Sequence, residues 1–344
     1  MLTFIASIFV FGILIFFHEL GHFLVAKLFG VKVHEFSMGF GPKIMVISRG
    51  ETLYNLRALP LGGFVRMAGM DPSEKEEDDE ERGFNKKTIG QRISIIFAGP
   101  LMNFLLAIAL LAVIFFFQGL PVPSPGTSIG DVIPGSPASE AGLKAGDQIV
   151  AINGERVDRW EDLVHIIYDK PEEKIFVTVV RDGFEKRFNL VTFKDEEGLG
   201  KIGIYQASEY QKLGILQALV MGVEWTGRVT FMILDFLAKM IFGQAPADLG
   251  GPVRVVSEIG KAAEMGFFFL LQLAAFLNIN LGLFNLLPIP ALDGSRIMFL
   301  FWEKVRGRPV DPVKENFIHL VGLGLLLLLM VIITYNDVLQ VFIS

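Results

Sequence analysis

The sequence predicts a polytopic α-helical membrane protein with four transmembrane helices and an inserted β-rich module. Three observations predict it. The 344 residues are 52% hydrophobic and only 20% charged, with a mean hydropathy of +0.51, too apolar for an ordinary soluble domain. Four segments, 2–27, 93–118, 267–287 and 317–342, each supply the roughly 20 apolar residues that a bilayer core demands. Between the second and third lies a turn-rich stretch of alternating strand pattern.

The first span resembles a signal peptide in position only. It has no basic leading region and no small-residue cleavage site, and polar residues follow its apolar run without a break. The PVPSPG stretch, 121–126, opens the soluble insert. Within 127–208, Asp182-Gly183 is a hairpin signal between two alternating strands, and WEDLVHIIYD reads as a short amphipathic helix. This divides the chain into a first membrane part (1–120), the insert (121–208) and a second membrane part (209–344). The acidic run 71–82 reads as a disordered, solvated linker.

The segment 211–243 is apolar enough to suggest a fifth span. Its charged residues Glu224, Arg228, Asp235 and Lys239 fall within an arc of about 60° at ~100° per residue. A single polar stripe suits a helix lying in the interface. Lysines and arginines cluster after span 1 and between spans 3 and 4 (Lys27, Lys32, Lys43, Arg296, Lys304, Arg306), so those loops are cytoplasmic and both termini lie outside. Spans 1 and 3 then run in the same direction, which brings their C-terminal ends to one face.

Net charge −6 provides no basic field, which excludes nucleic acid as a partner. Cysteine is absent, so thiolate metal sites, disulfides and cysteine nucleophiles are excluded too. Against that background HELGH, residues 18–22, stands out near the end of an apolar run. An ionisable group at bilayer depth costs roughly 2.5–3.5 kcal/mol. On a helix, His18 and His22 are one turn apart and face the same point, and two neutral imidazoles suit Zn²⁺. Glu19 between them is placed to take a proton from a water held there. The plain alternative is a polar cluster bridging helices.

A catalytic zinc takes a third protein ligand. His165 belongs to the insert, His34 to a loop and His319 to the start of span 4. Asp293, beyond the Pro288/Pro290 break, is the better candidate, with a helix N-cap as its other use.

These residues resemble the site-2 intramembrane metalloproteases of the bacterial regulator-of-sigma-E protease type. The resemblance runs through HELGH, GFGP (39–42), PLGGFVRM (60–67), AGPLMNF (98–104), one PDZ-like module and NLLPIPALDG (285–294). It implies His18, His22 and Asp293 as zinc ligands and Glu19 as catalytic base. It also implies a membrane-associated β-hairpin region over about 31–67, and Asn285, Asn280, Gly39 and Gly41 as substrate-binding residues. For Asn280 and Asn103, helix-to-helix hydrogen bonding serves equally well. The best-studied members carry two PDZ modules, and this chain carries one.

The implied activity is zinc-dependent cleavage of a transmembrane segment of a single-span protein, such as an anti-sigma factor or a remnant signal peptide. The setting is the bacterial inner membrane, with lipid around the spans and the active site near the cytoplasmic side. The insert serves either as a steric gate or as a reader of peptide C-termini, for which the segment 128–138 offers a strand and loop. The rival classes are a membrane PDZ adaptor with a structural polar cluster and a transporter, since ionisable residues in spans also mark ion paths.

Overall fold

The computed structural model of the chain describes residues 1–70, 82–195, 197–245 and 250–343. The acidic run expected as a linker lies outside the described residues except for Arg82. The order begins with α1 (Leu2–Leu28), β1 (Val33–Arg49), β2 (Thr52–Met67) and α2 (Ile89–Gln118). Next come β3 (Leu120–Pro123), β4 (Ile129–Val132), α3 (Pro137–Ala141), β5 (Gln148–Ile152), β6 (Glu155–Arg156) and α4 (Trp160–Tyr168). The strands β7 (Lys174–Arg181), β8 (Phe184–Val191), β9 (Phe193–Lys194), β10 (Gly200–Lys201), β11 (Ile204–Gln206) and β12 (Ser208–Gln211) follow. The helices α5 (Ile215–Ile241), α6 (Pro252–Met265), α7 (Phe267–Leu286), α8 (Asp293–Arg306) and α9 (Pro312–Ile343) close the order. Residues Met1–Phe116 and Gly214–Ser344 form one compact unit, and Phe117–Leu213 form the other.

In the first unit, α1, α2, α7 and the Val313–Leu339 stretch of α9 are, among the described residues, the four helices long and apolar enough to cross a membrane. Only 6% of the most apolar stretch of α9 is buried, so most of its leucine-rich surface faces outward, as that of a lipid-facing helix does. The helix α5 is not among the four. Its charges pair one turn apart on the outer face, Arg228 with Glu224 at 2.5 Å and Lys239 with Asp235 at 2.7 Å. Its buried stripe is small, Ala218, Gly222 and Thr226. A Cβ on Gly222 would lie 2.7 Å from the Ile108 carbonyl of α2, so the two helices touch backbone to backbone there.

The sequence pattern does not announce α6. It buries Ile259, Gly260 and Ala262 in a core shared with Ala6, Val10 and Leu14 of α1 and Leu270 and Ala274 of α7. Its N-cap, Gly251, has no side chain to cap with. Asp337 of α9, itself buried, accepts the backbone N–H groups of Gly251 (3.2 Å) and Arg254 (3.0 Å) in that role.

Strands β1 and β2 form the expected hairpin region, and each bends back on itself. Glu35 to Met38 pair with Leu53 to Leu56 on one side and with Gly63 to Arg66 on the other, while Leu53 to Leu56 pair onward with Met45 to Ser48. The result is four lanes made by two long strands, the two outer pairings antiparallel and the central pairing of 35–38 with 53–56 running in the same direction. Positive φ at Gly39 (86°), Gly41 (83°) and Gly62 (94°) makes the bends possible. Glu51 ties the hairpin turn to α1 and to the segment before α2. It accepts hydrogen bonds from Arg82 (2.7 and 2.8 Å) and Lys27 (2.5 Å), which hold its carboxyl at about 2.

The second unit is built around a four-stranded antiparallel sheet in the order β6-β5-β7-β8. The strands β4 and β11 pair beside it, and β3 and β12 pair at the entry and exit of the chain. Arg181 pairs with Phe184 across a two-residue loop, and Asp182 and Gly183 both have positive φ, as the hairpin signal requires. The core holds Ile129, Ile149, Ile152, Leu163, Ile175, Val177 and Val179, each contributing about 1.5–3 kcal/mol by leaving water. Asp147 is 1% exposed and binds Arg181 through both oxygens, at 2.6 and 2.7 Å.

Burial raises the Asp147 carboxyl, but the Arg181 hydrogen bonds and the Lys144 amide outweigh it and hold the group below its usual range. Its stabilisation is therefore present above about pH 4 and lost as pH falls through the folded-state value. We expect Asp147→Ala to cost about 2 kcal/mol, less than a fully buried pair because Arg181 stays partly wet. Limited proteolysis of the purified chain at neutral pH should then cut within 117–213 about thirtyfold faster than wild type. The difference should shrink below pH 4. Equal rates at neutral pH reject the assignment of this pair as a stabilising one.

Candidate metal centre

The helix α1 presents His18 and His22 on one face, with ring centroids 4.9 Å apart and Nε2 atoms 3.3 Å apart. Asp293 reaches them from the first residue of α8, its Oδ2 lying 3.3 Å from both Nε2 atoms. The chain makes this approach possible by ending α7 at Leu286 and crossing Pro288 and Pro290 in a tight loop. Leu292, not Asp293, is the N-cap of α8, so the carboxylate is free of that task. Gly294 follows because a Cβ there would lie 2.3 Å from the Leu287 carbonyl and 2.4 Å from that of Leu286.

The loop is held from α9. His319 Nδ1 accepts the N–H of Ala291, a residue at φ 78°, at 3.1 Å. Gly322 lies against Pro290, and a Cβ on it would come within 2.2 Å of the proline ring. His319, whose place in the sequence suggests only a helix end, therefore helps to position the loop that carries Asp293.

The helix α2 supports the two imidazoles. A Cβ on Gly21 would lie 2.2 Å from the Ala98 carbonyl, and one on Gly99 would lie 2.3 Å from His22 Nε2. Any larger residue at either position would push α1 and α2 apart. Pro100 sits inside α2, has no N–H and displaces the carbonyl one turn before it. Near this irregularity the Ile95 carbonyl accepts from His22 Nδ1 at 2.9 Å. A carbonyl only accepts, so Nδ1 carries the proton and Nε2 presents its lone pair. His18 Nδ1 lies 3.1 Å from the carboxamide of Asn103, which is completely buried.

The donor set fits a small divalent cation. Three lone-pair atoms lie at mutual distances of 3.3 Å, and Asp293 Oδ2 is buried without a hydrogen bond. A tetrahedral site with bonds of about 2.0–2.1 Å has edges of about 3.3–3.4 Å. Two nitrogens and one oxygen leave the fourth position open, the pattern of a catalytic site. Among the described residues this is the one such group of His, Asp and Glu side chains. His34 is outside it, and His165 belongs to α4 of the other unit.

Glu19 is half-buried beside the cluster, and a Cβ on Gly63 would lie 3.0 Å from its Cγ. The outer lane of the sheet, Gly63 to Arg66, therefore begins next to Glu19. The other residues singled out by sequence are not drawn into the triad. Asn280 and Asn285 each donate to the carbonyl one turn earlier in α7, Phe276 and Leu281, at 2.9 Å. Gly39 and Gly41 sit at the bend of β1 against Leu59, with Arg57 donating to the Gly41 carbonyl. The supporting roles of Gly99, the Ile95 carbonyl and His319 escape sequence reasoning. A Gly-Pro pair inside an apolar helix is the available signal.

Residues 6–329 match the model of peptidase family M50. The zinc metalloprotease RasP of Geobacillus kaustophilus is 39% identical, the match covering 98% of each chain. The regulator of sigma-W protease RasP of Bacillus subtilis is 37% identical and the zinc metalloprotease RasP of Bacillus licheniformis 36%, each match covering 99% of both chains. Among solved structures, the PDZ domain of an SdrC-like protein from Listeria monocytogenes is 21% identical, over 25% of this chain and 93% of that one, with a TM-score of 0.23. A score that low assigns no fold, and the strand order above stands as the description of the second unit. With nearly the whole chain matched by one family, this protein belongs to peptidase family M50 and is a metalloprotease.

Proposed function

We propose that the chain is an intramembrane zinc endopeptidase that cuts transmembrane segments of single-span proteins. His18, His22 and Asp293 hold the zinc, and Glu19 is the general base and acid. The observation that carries the reading is the triangle of donor atoms 3.3 Å on a side with an HExxH glutamate next to it. When bound, the ion supplies Lewis acidity for the scissile carbonyl and lowers the proton affinity of water. Glu19 takes the proton of the attacking water at its carboxylate and delivers it to the leaving amine nitrogen. A rival adaptor has no use for that carboxylate between two converging imidazoles.

A helix shields its own peptide bonds by hydrogen bonding, so a substrate must unwind before attack. The lane Gly63 to Arg66 supports strand pairing with the unwound segment beside Glu19. Asn285, Asn280, Gly39 and Gly41 are proposed substrate contacts. Each asparagine has given its amide to its own helix, and its oxygen is the acceptor it offers a substrate N–H. The name of the Bacillus subtilis relative, regulator of sigma-W protease, supports an anti-sigma factor as substrate, with a remnant signal peptide as the other source.

The protein sits in the bacterial inner membrane with both termini extracytoplasmic and the metal centre toward the cytoplasm. The span and loop-charge pattern supports this. The second unit acts outside the membrane as a PDZ-type steric gate. A cavity of about 360 Å³ between α4 and Ile202 to Tyr205 favours a second reading, capture of a peptide end. Of the segment 128–138, only Ile133 lines the cavity among the described residues.

Glu19→Gln should retain zinc at wild-type stoichiometry and lose at least about a hundredfold in cleavage of a model span, the scale of a lost general base. Undiminished cleavage rejects the mechanism. Leucines placed around the scissile bond should slow cleavage, and equal rates count against the unwinding step. Deletion of residues 127–208 should admit untrimmed substrates under the gate reading and abolish cleavage under the reader one. Because the chain has no cysteine, Arg308→Cys and Gly126→Cys each provide a single labelling site. An impermeant thiol reagent added outside cells should modify the second and spare the first; the reverse pattern overturns the orientation.

A further inference from the structure

Asn103 has no assigned task, yet it is completely buried and its carboxamide lies 3.1 Å from His18 Nδ1, on the far side of that ring from the metal-facing nitrogen. The nearest atom is Nδ2, while Oδ1 is buried without any hydrogen-bond partner. An orphaned buried carbonyl oxygen loses about 1–3 kcal/mol of hydration without return. A half-turn about Cβ–Cγ exchanges the two atoms with almost no change of shape, since oxygen and nitrogen differ little in size.

The two orientations make opposite demands on His18. With Nδ2 donating, Nδ1 must accept, so the ring proton moves to Nε2 and points into the triangle shared with His22 and Asp293. That proton blocks metal binding. With Oδ1 accepting, Nδ1 carries the proton, Nε2 presents a lone pair, and the orphaned oxygen gains its missing partner. His22 already has this arrangement, because its Nδ1 faces the Ile95 carbonyl, an acceptor that cannot turn round.

We infer that Asn103 is a positioning residue for the metal centre: its carboxamide oxygen accepts the Nδ1–H of His18 and fixes the tautomer that binds the ion. The inference rests on the proposed zinc site. The two histidines are then oriented from the same helix, α2, by two carbonyl oxygens, one from the backbone at residue 95 and one from the side chain at residue 103. This assigns a purpose to the last polar residue of AGPLMNF, where Gly99 makes room for His22 and Pro100 disturbs the ladder near residue 95.

The test uses the purified full-length protein loaded with Co²⁺, whose visible d–d absorption reports a tetrahedral site, and a chelator competition that reports affinity. Aspartate is isosteric with asparagine and only accepts, so Asn103→Asp should bind Co²⁺ within about threefold of wild type or more tightly, as carboxylate–histidine–metal pairs do. Asn103→Leu should bind about 10–100-fold more weakly, the usual loss for an outer partner of a ligating histidine. Thermal melting of the metal-free proteins separates this from a general packing defect. If Asn103→Leu does not fold, Asn103→Asp decides alone: retained affinity supports the inference and a loss overturns it, because nitrogen then faces His18. Wild-type affinity in a folded Asn103→Leu also overturns it. A wild-type protein whose Co²⁺ band is absent, or is unchanged by His22→Ala, overturns the metal centre itself and this inference with it.

Discussion

Three lone-pair-bearing atoms held 3.3 Å apart, between the apolar helix α1 and the first residue of α8, are the constraint on which the first unit depends. Left to themselves they repel, and each loses hydration that its surroundings do not replace. The arrangement is stable only if a cation or shared protons occupy the centre and if the backbone cannot relax outward. Much of the surrounding structure serves the second requirement. Gly21 and Gly99 let α1 and α2 meet closely, Gly294 lets the start of α8 lie against the last carbonyls of α7, and Gly322 and His319 hold the preceding loop from α9. At each of these four glycines a Cβ would collide with a neighbouring atom.

The electrostatic design separates the two faces of each imidazole. The inward nitrogens converge on a common point, and the outward ones meet α2. Both imidazoles thus meet a helix that adds no side chain to the triangle of donor atoms. Such outer partners commonly matter almost as much as the ligands, because they set the tautomer and the ring plane. The sheet adds a different element beside the same site. Its outer lane, paired on one side within the sheet, begins beside Glu19.

The sequence makes the periodic and local features legible. Spans α1, α2, α7 and α9 follow from runs of apolar residues, the Asp182-Gly183 turn from its left-handed preference, and α5 from its charged stripe. HExxH and the aspartate beyond two prolines are readable because an ionisable group in apolar surroundings is too costly to keep without a task. The rest depends on distant contacts. α6 has a polar face and a weak start, and its cap comes from Asp337, more than eighty residues later. The double bend of β1 and β2 produces four lanes from what reads as one hairpin, because a glycine's positive φ does not announce which strand it will turn. The pairings of Asn103 with His18 and of His22 with Ile95 join segments with no shared periodicity, so only three-dimensional proximity reveals them.

The distant capping of α6 has a consequence for biosynthesis. The helix bearing both histidines precedes α6 in the chain, and α6, packed along it, is capped by a carboxylate of α9, which is translated after both. Until α9 has been translated and docked, α6 begins with bare amide groups and Asp293 has no anchor for its loop. A chain translated only as far as α8 therefore lacks both the cap of α6 and the contact that supports the loop before Asp293.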